Sequence, residues 1–140
     1  MSYQMILAPV FVQVLLTLIV LFTLAGRRYG AVKGKQLTGP VGLREANWPP
    51  RARQAEFNYQ NQFELPVLFY LLAVLSIITR HADLFFVLMA WVFVALRVIH
   101  AIVHLTNNKL AFRGGFFIAS AIVLTVMWVV FIVRIMAALS

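Results

Sequence analysis

Seven polar side chains in this 140-residue chain stand in or beside long apolar runs: Asn58, Asn61, Glu64, Arg97, His100, His104 and Arg113. Arg97, His100 and His104 recur at i, i+3 and i+7, which places them on one stripe of a helix. Asn58, Asn61, Gln62 and Glu64 crowd about half the circumference of another helix. Together they offer cations for a carboxylate or a thiolate, a carboxylate for an amine, and amides for peptide bonds. That set suits a small zwitterionic peptide. Simpler readings stand beside it: Glu64 and Arg97 as a ligand-free interhelical ion pair, or Arg97 and Arg113 reaching to lipid phosphates. His100 and His104 also have the i, i+4 spacing of metal ligands, but the helix supplies no third ligand, so no metal is expected.

The elements that must hold these residues are membrane spans. The chain is 63% hydrophobic and 11% charged, more apolar than a soluble domain of this length can bury. Long apolar runs mark a first span over about 5–25, a third over 84–104 and a fourth over 115–136. Met5–Ala25 lacks a preceding basic stretch and runs 21 residues without a charge, so it reads as a retained span rather than a signal peptide. Leu65–Thr79 is only 15 residues, short of the roughly 20 that cross a bilayer. The second helix is therefore expected to start near residue 58 and run straight to 79, which carries Asn61 and Glu64 to the edge of the membrane or into it.

The fold expected is all-α, an integral membrane four-helix up-and-down bundle forming one domain over residues 1–140. A long loop over about 26–52, rich in glycine and proline, joins the first two spans. Seven of the twelve Lys and Arg residues fall between Arg27 and Arg53, while the turn after the second span has Arg80 alone. The loop is thus placed in the cytoplasm and both termini on the opposite side. The net charge of +8 does not point to nucleic acid, because no nucleic-acid module has this hydropathy. Cysteine is absent, which excludes disulfides, thiolate metal sites and a cysteine nucleophile. Arg134, near the end of the fourth span, reads as a snorkelling side chain; Trp91 and Trp128 read as packing residues, and Tyr29 and Trp48 as a membrane-surface belt.

The segment Arg97-Val-Ile-His100-Ala-Ile-Val-His104, followed nine residues later by Arg113, resembles the end of the third helix and the start of the fourth in the MAPEG family, the membrane-associated proteins of eicosanoid and glutathione metabolism. Asn61-Gln-Phe-Glu64-Leu-Pro66 is similar to the family's Asn-x-x-Glu element in its bacterial branch, which points to a bacterial inner membrane; an alternative register uses Asn58. His104 stands where those proteins have tyrosine, and Phe57 where an arginine commonly precedes the asparagine. The resemblance implies a homotrimer that binds glutathione between subunits. Arg113 would stabilise the glutathione thiolate, Asn61 (or Asn58) and Glu64 would hold the peptide, and Arg97 with His100 and His104 would support its carboxylates. It implies a glutathione-dependent transferase or peroxidase acting on lipophilic electrophiles, or else a non-catalytic relative that binds lipid or a partner in a larger membrane complex. A carrier is disfavoured by the lack of paired broken helices or repeats.

Overall fold

The computed structural model describes residues 2–36, 48–106 and 110–138. Five helices follow in order: α1 (Tyr3–Lys33), α2 (Pro50–Asn61), α3 (Leu65–Ile78), α4 (Leu84–Leu105) and α5 (Leu110–Ala138). No strand occurs among the described residues, and α2 and α3 together form one of four helical spans long and apolar enough to cross a membrane. Helix α4 packs against α1, α2 and α5, while α3 lies against α1 and α5.

Aromatic and branched side chains fill the interior between α3, α4 and α5. Phe69, Leu72 and Ala73 meet Phe86, Ala90, Phe93 and Val94, with Leu124 and Met127 closing the far side. The Phe69 and Phe93 rings stack at 4.8 Å between centroids. The outer surface is as apolar as this interior: Phe11, Phe22, Ile122, Ile132 and Val133 are all exposed. Such a surface is stable against acyl chains and unstable in water. Four threonine hydroxyls on the spans are satisfied within their own helices, since Thr17, Thr23, Thr79 and Thr125 each donate to the carbonyl four residues back.

Three features depart from the sequence expectation. Helix α1 does not stop at Ala25 but continues to Lys33, and α5 begins at Leu110 rather than near 115. Glycine weakens a helix by only about 1 kcal/mol, so Gly26 and Gly30 are carried through by their helix-forming neighbours. The expected loop over 26–52 is therefore helical at both ends, while residues 37–47 lie outside the described residues. The second span, in turn, is broken. A turn at Gln62–Glu64 separates α2 from α3, and Glu64 adopts φ −99° and ψ −100°. Pro66 accounts for it: proline has no N–H for the carbonyl of residue 62 and its ring clashes with that carbonyl, so the helix restarts one turn later.

The side chain of Arg134 is not simply directed to headgroups. Its Nη1 donates to Asp83 Oδ2 at 2.8 Å, and its guanidinium lies 5.4 Å from the Phe85 ring centroid. Asp83 also caps α4, accepting from Phe86 N–H at 3.1 Å. Trp91 is 41% exposed and faces outward, whereas Trp128 packs edge-on against Phe131.

A chain of buried amides ties α1, α2 and α4 together. Gln13 Nε2 donates to Gln62 Oε1 at 2.9 Å, Gln62 Nε2 donates to Asn58 Oδ1 at 3.0 Å, and Asn58 Nδ2 donates to the Ala101 carbonyl at 3.1 Å. All three side chains are fully buried. Interhelical hydrogen bonds in membranes contribute about 0.6–2 kcal/mol. Gln62→Leu breaks two of these links and is expected to lower stability by roughly 1–3 kcal/mol, whereas Thr125→Val on the exposed face of α5 changes it by less than about 0.5 kcal/mol; denaturant unfolding in mixed micelles measures both. At the other end, Asp83→Ala loses a helix cap as well as an ion pair and is expected to cost about 1–2 kcal/mol. Arg134→Ala keeps the cap and loses the half-exposed pair, worth about 0–1 kcal/mol, with the contact to the Phe85 ring, and the ranking is read in the same assay.

Candidate functional site

Near the end of the bundle where α1 meets α2, residues from α2, α4 and α5 surround a cleft of about 490 Å³. Asn61 and Gln60 come from α2, His100 and His104 from α4, and Arg113 from the first turns of α5. Phe57, Phe117 and Ile118 supply an apolar wall. A second cleft of about 570 Å³ shares Phe57, His104 and Arg113 with it and adds Trp48, Arg53 and Gln54. The size and the mixed lining lie in the range of small-molecule sites.

The helical spacing of Arg97, His100 and His104 brings them to one face, as expected, and all three are buried. The His100 and His104 rings lie 5.8 Å apart, and His100 lies 5.8 Å from Phe117. Their Nδ1 atoms are buried without a hydrogen-bond partner among the described residues. The α4 backbone is fixed beside them: Gln54 Nε2 donates to the His104 carbonyl, and Asn58 holds that of Ala101. Among the described residues no group of three His, Cys, Asp or Glu residues is placed to hold a metal ion.

Arg97 is fully buried behind the cleft rather than in its lining. Its Nη2 donates to the Asn61 carbonyl at 3.3 Å, and its guanidinium lies 5.9 Å from the Phe117 ring centroid. Asn61 is the last residue of α2, so a cation here meets the negative end of that helix, at a carbonyl that also accepts from the Glu64 N–H at 3.3 Å. Nε and Nη1 have no hydrogen-bond partner among the described residues. Glu64 is close enough to attract Arg97 electrostatically, but the two form no ion pair within 4.0 Å.

The remaining residues of the sequence pattern separate. Asn58 is committed to the amide chain, with both side-chain atoms engaged, and lies outside the cleft. Between the two registers left open, Asn61 is the asparagine that reaches the cleft. Glu64 stands exposed on the bend, away from the lining residues, because the break turns it off the face a continuous helix would have given it. Gln54, Gln60 and Phe117 belong to the site but carried no signal in the sequence. An amide or an aromatic ring in a membrane protein is unremarkable until its neighbours are known.

No curated protein and no solved structure matches the chain. A family model does match, the one described as the MAPEG family, over residues 6–133. The match runs from the first turn of α1 into the last turns of α5 and takes in every residue of the cleft; the chain belongs to the MAPEG family.

Proposed function

We propose that this multi-pass membrane protein binds glutathione in the cleft beside Arg113 and presents its thiolate to lipophilic electrophiles, as a transferase or peroxidase. The observation that carries the reading is the convergence of Arg113, His104, His100 and Asn61 on one cleft that Phe57, Phe117 and Ile118 also line. A guanidinium beside a thiol favours the charged form, which is the nucleophile. The amides of Asn61 and Gln60 suit peptide groups, and the buried cation of Arg97 behind them adds attraction for a carboxylate. The apolar wall suits an electrophile that arrives from the bilayer. The thiolate sulfur would then bond to an electrophilic carbon as that carbon's leaving group departs, or attack a hydroperoxide oxygen, cleaving the O–O bond to release the alcohol and a glutathione sulfenic acid that a second glutathione converts to the disulfide and water.

A homotrimer is part of this reading. Arg97 precedes the end of α4 by eight residues, or about 12 Å, and Glu64 lies on the bend that Arg97 stabilises. A carboxylate exposed to lipid near that depth costs about 2.5–3.5 kcal/mol. Exposed Phe57 and Phe63 flank it, so a second copy packed over the bend would cover all three. The basic end of the bundle would face the cytoplasm.

The exposure of Glu64 also favours a second reading. An acid that the family pattern assigns to the peptide is here outside the cleft, which suits a non-catalytic member that binds lipid or a partner within a larger membrane complex. Calorimetry in detergent separates the two. Glutathione binding is expected for the wild type, and Arg113→Ala is expected to lower conjugation of a model electrophile by roughly 100-fold or more with little change in thermal stability. Absence of binding to the wild type removes the enzymatic reading and leaves the second. Native mass spectrometry is expected to give a trimer, and a stable monomer would count against the assembly.

A further inference from the structure

A different cleft lies where α1 continues beyond the uncharged run Met5–Ala25. It has a volume of about 540 Å³ and is lined by Gly26, Arg27, Gly30, Ala31 and Gln36 on one side and by Pro49, Pro50, Arg51 and Ala52 on the other. Among the described residues its floor is bare because of two glycines one helical turn apart: a Cβ built on Gly26 or Gly30 meets none of them within 4 Å. The glycines therefore do not serve close helix packing. They leave room for a guest.

Two arginines face this space. Arg27 Nη1 donates to the Arg51 carbonyl at 3.0 Å and Arg27 Nη2 to the Leu105 carbonyl at 3.1 Å, which fixes the guanidinium between α1, α2 and the end of α4 without cancelling its charge. Arg51 is exposed and lies close enough to repel it. No described carboxylate answers the pair: Glu56 sits 3.4 Å from Arg28, Asp83 bonds Arg134 at the opposite end, and Glu64 is on the bend, while Glu45 lies outside the described residues. Like charges held together beside an open space call for an anion.

The depth identifies the kind of anion. Arg27 comes two residues after Ala25, the last residue of the uncharged run, which is about 3 Å along the helix, and Ala31 is about 9 Å along it. The headgroup layer is roughly 5–8 Å thick on each side of the hydrocarbon. The cleft thus sits level with lipid phosphates, and exposed Tyr29 at the same level is a residue type enriched at that boundary.

We propose that the cleft between Arg27 and Arg51, floored by Gly26 and Gly30, binds the phosphate headgroup of an anionic phospholipid in the leaflet on the basic side. The guanidinium groups hold the phosphate, and the bare glycine face admits the ester and the polar head. This site is independent of the Arg113 cleft and of what that cleft does.

Nanodiscs test it, with the full chain placed either in phosphatidylcholine alone or in phosphatidylcholine mixed with phosphatidylglycerol. The wild type is expected to melt at a higher temperature in the mixed discs and to retain phosphatidylglycerol through native mass spectrometry. Arg51→Gln, which removes a charge whose side chain holds no described element, is expected to weaken retention about tenfold. Gly30→Leu keeps every charge and favours the helix, yet fills the floor, and is expected to lose the retained lipid and the melting shift together. Equal retention by Gly30→Leu and wild type would overturn the proposal, because the attraction would then be a diffuse surface field. Reproduction of the melting shift by inorganic phosphate in phosphatidylcholine discs would also overturn the assignment to lipid.

Discussion

A backbone broken inside a bilayer must have its released polar groups satisfied by protein, and that requirement organises this fold. The turn at Gln62–Glu64 keeps the last carbonyls of α2 bonded: Tyr59, Gln60 and Asn61 accept from the N–H groups of Gln62, Phe63 and Glu64, and Gln62 Nε2 donates to the Asn58 carbonyl. Arg97 adds a second donor to the Asn61 carbonyl from α4, and the amides of Asn58 and Gln62 bind the same region to Ala101 and to Gln13. The break at Pro66 is thus held by short-range turn bonds, with the buried cation and amides tying it to the neighbouring helices. The cleft lies beside this repair, with Asn61 belonging to both.

Much of the fold was legible in the sequence, because the signal for a span is length and apolarity and needs no knowledge of neighbours. Leu84–His104 reads correctly for that reason, and α4 ends within a residue of the expectation. The break was not legible, since proline is tolerated in membrane helices and only the packing decides whether the helix bends or stops. Arg134 illustrates the same limit, because its partner Asp83 lies 51 residues away in the chain and nothing local pairs them.

The site was legible in part. The stripe of Arg97, His100 and His104 follows from helical geometry and is present, and Arg113 joins the two histidines in the cleft. The second-helix residues fared differently. Asn58 and Asn61 share unbroken α2, yet packing commits Asn58 to the buried amide chain and leaves Asn61 to the cleft, while the turn after Asn61 sets Glu64 outward. Spacing alone puts the three on one side of a helix, and only the neighbours and the break give them three surroundings.

The ion pair between Asp83 and Arg134 has a consequence for how the chain assembles. Helix α5 follows α3 and α4 in the chain and Arg134 lies in its final turns, so the pair with Asp83 closes only after nearly all of α5 has been made. Until then Asp83 already caps α4 through Phe86, and the hairpin of α3 and α4 is held by the Phe69–Phe93 stack. The contact is therefore a latch at one end of the helical bundle, which can engage only once α5 has come to lie against a hairpin that is already packed.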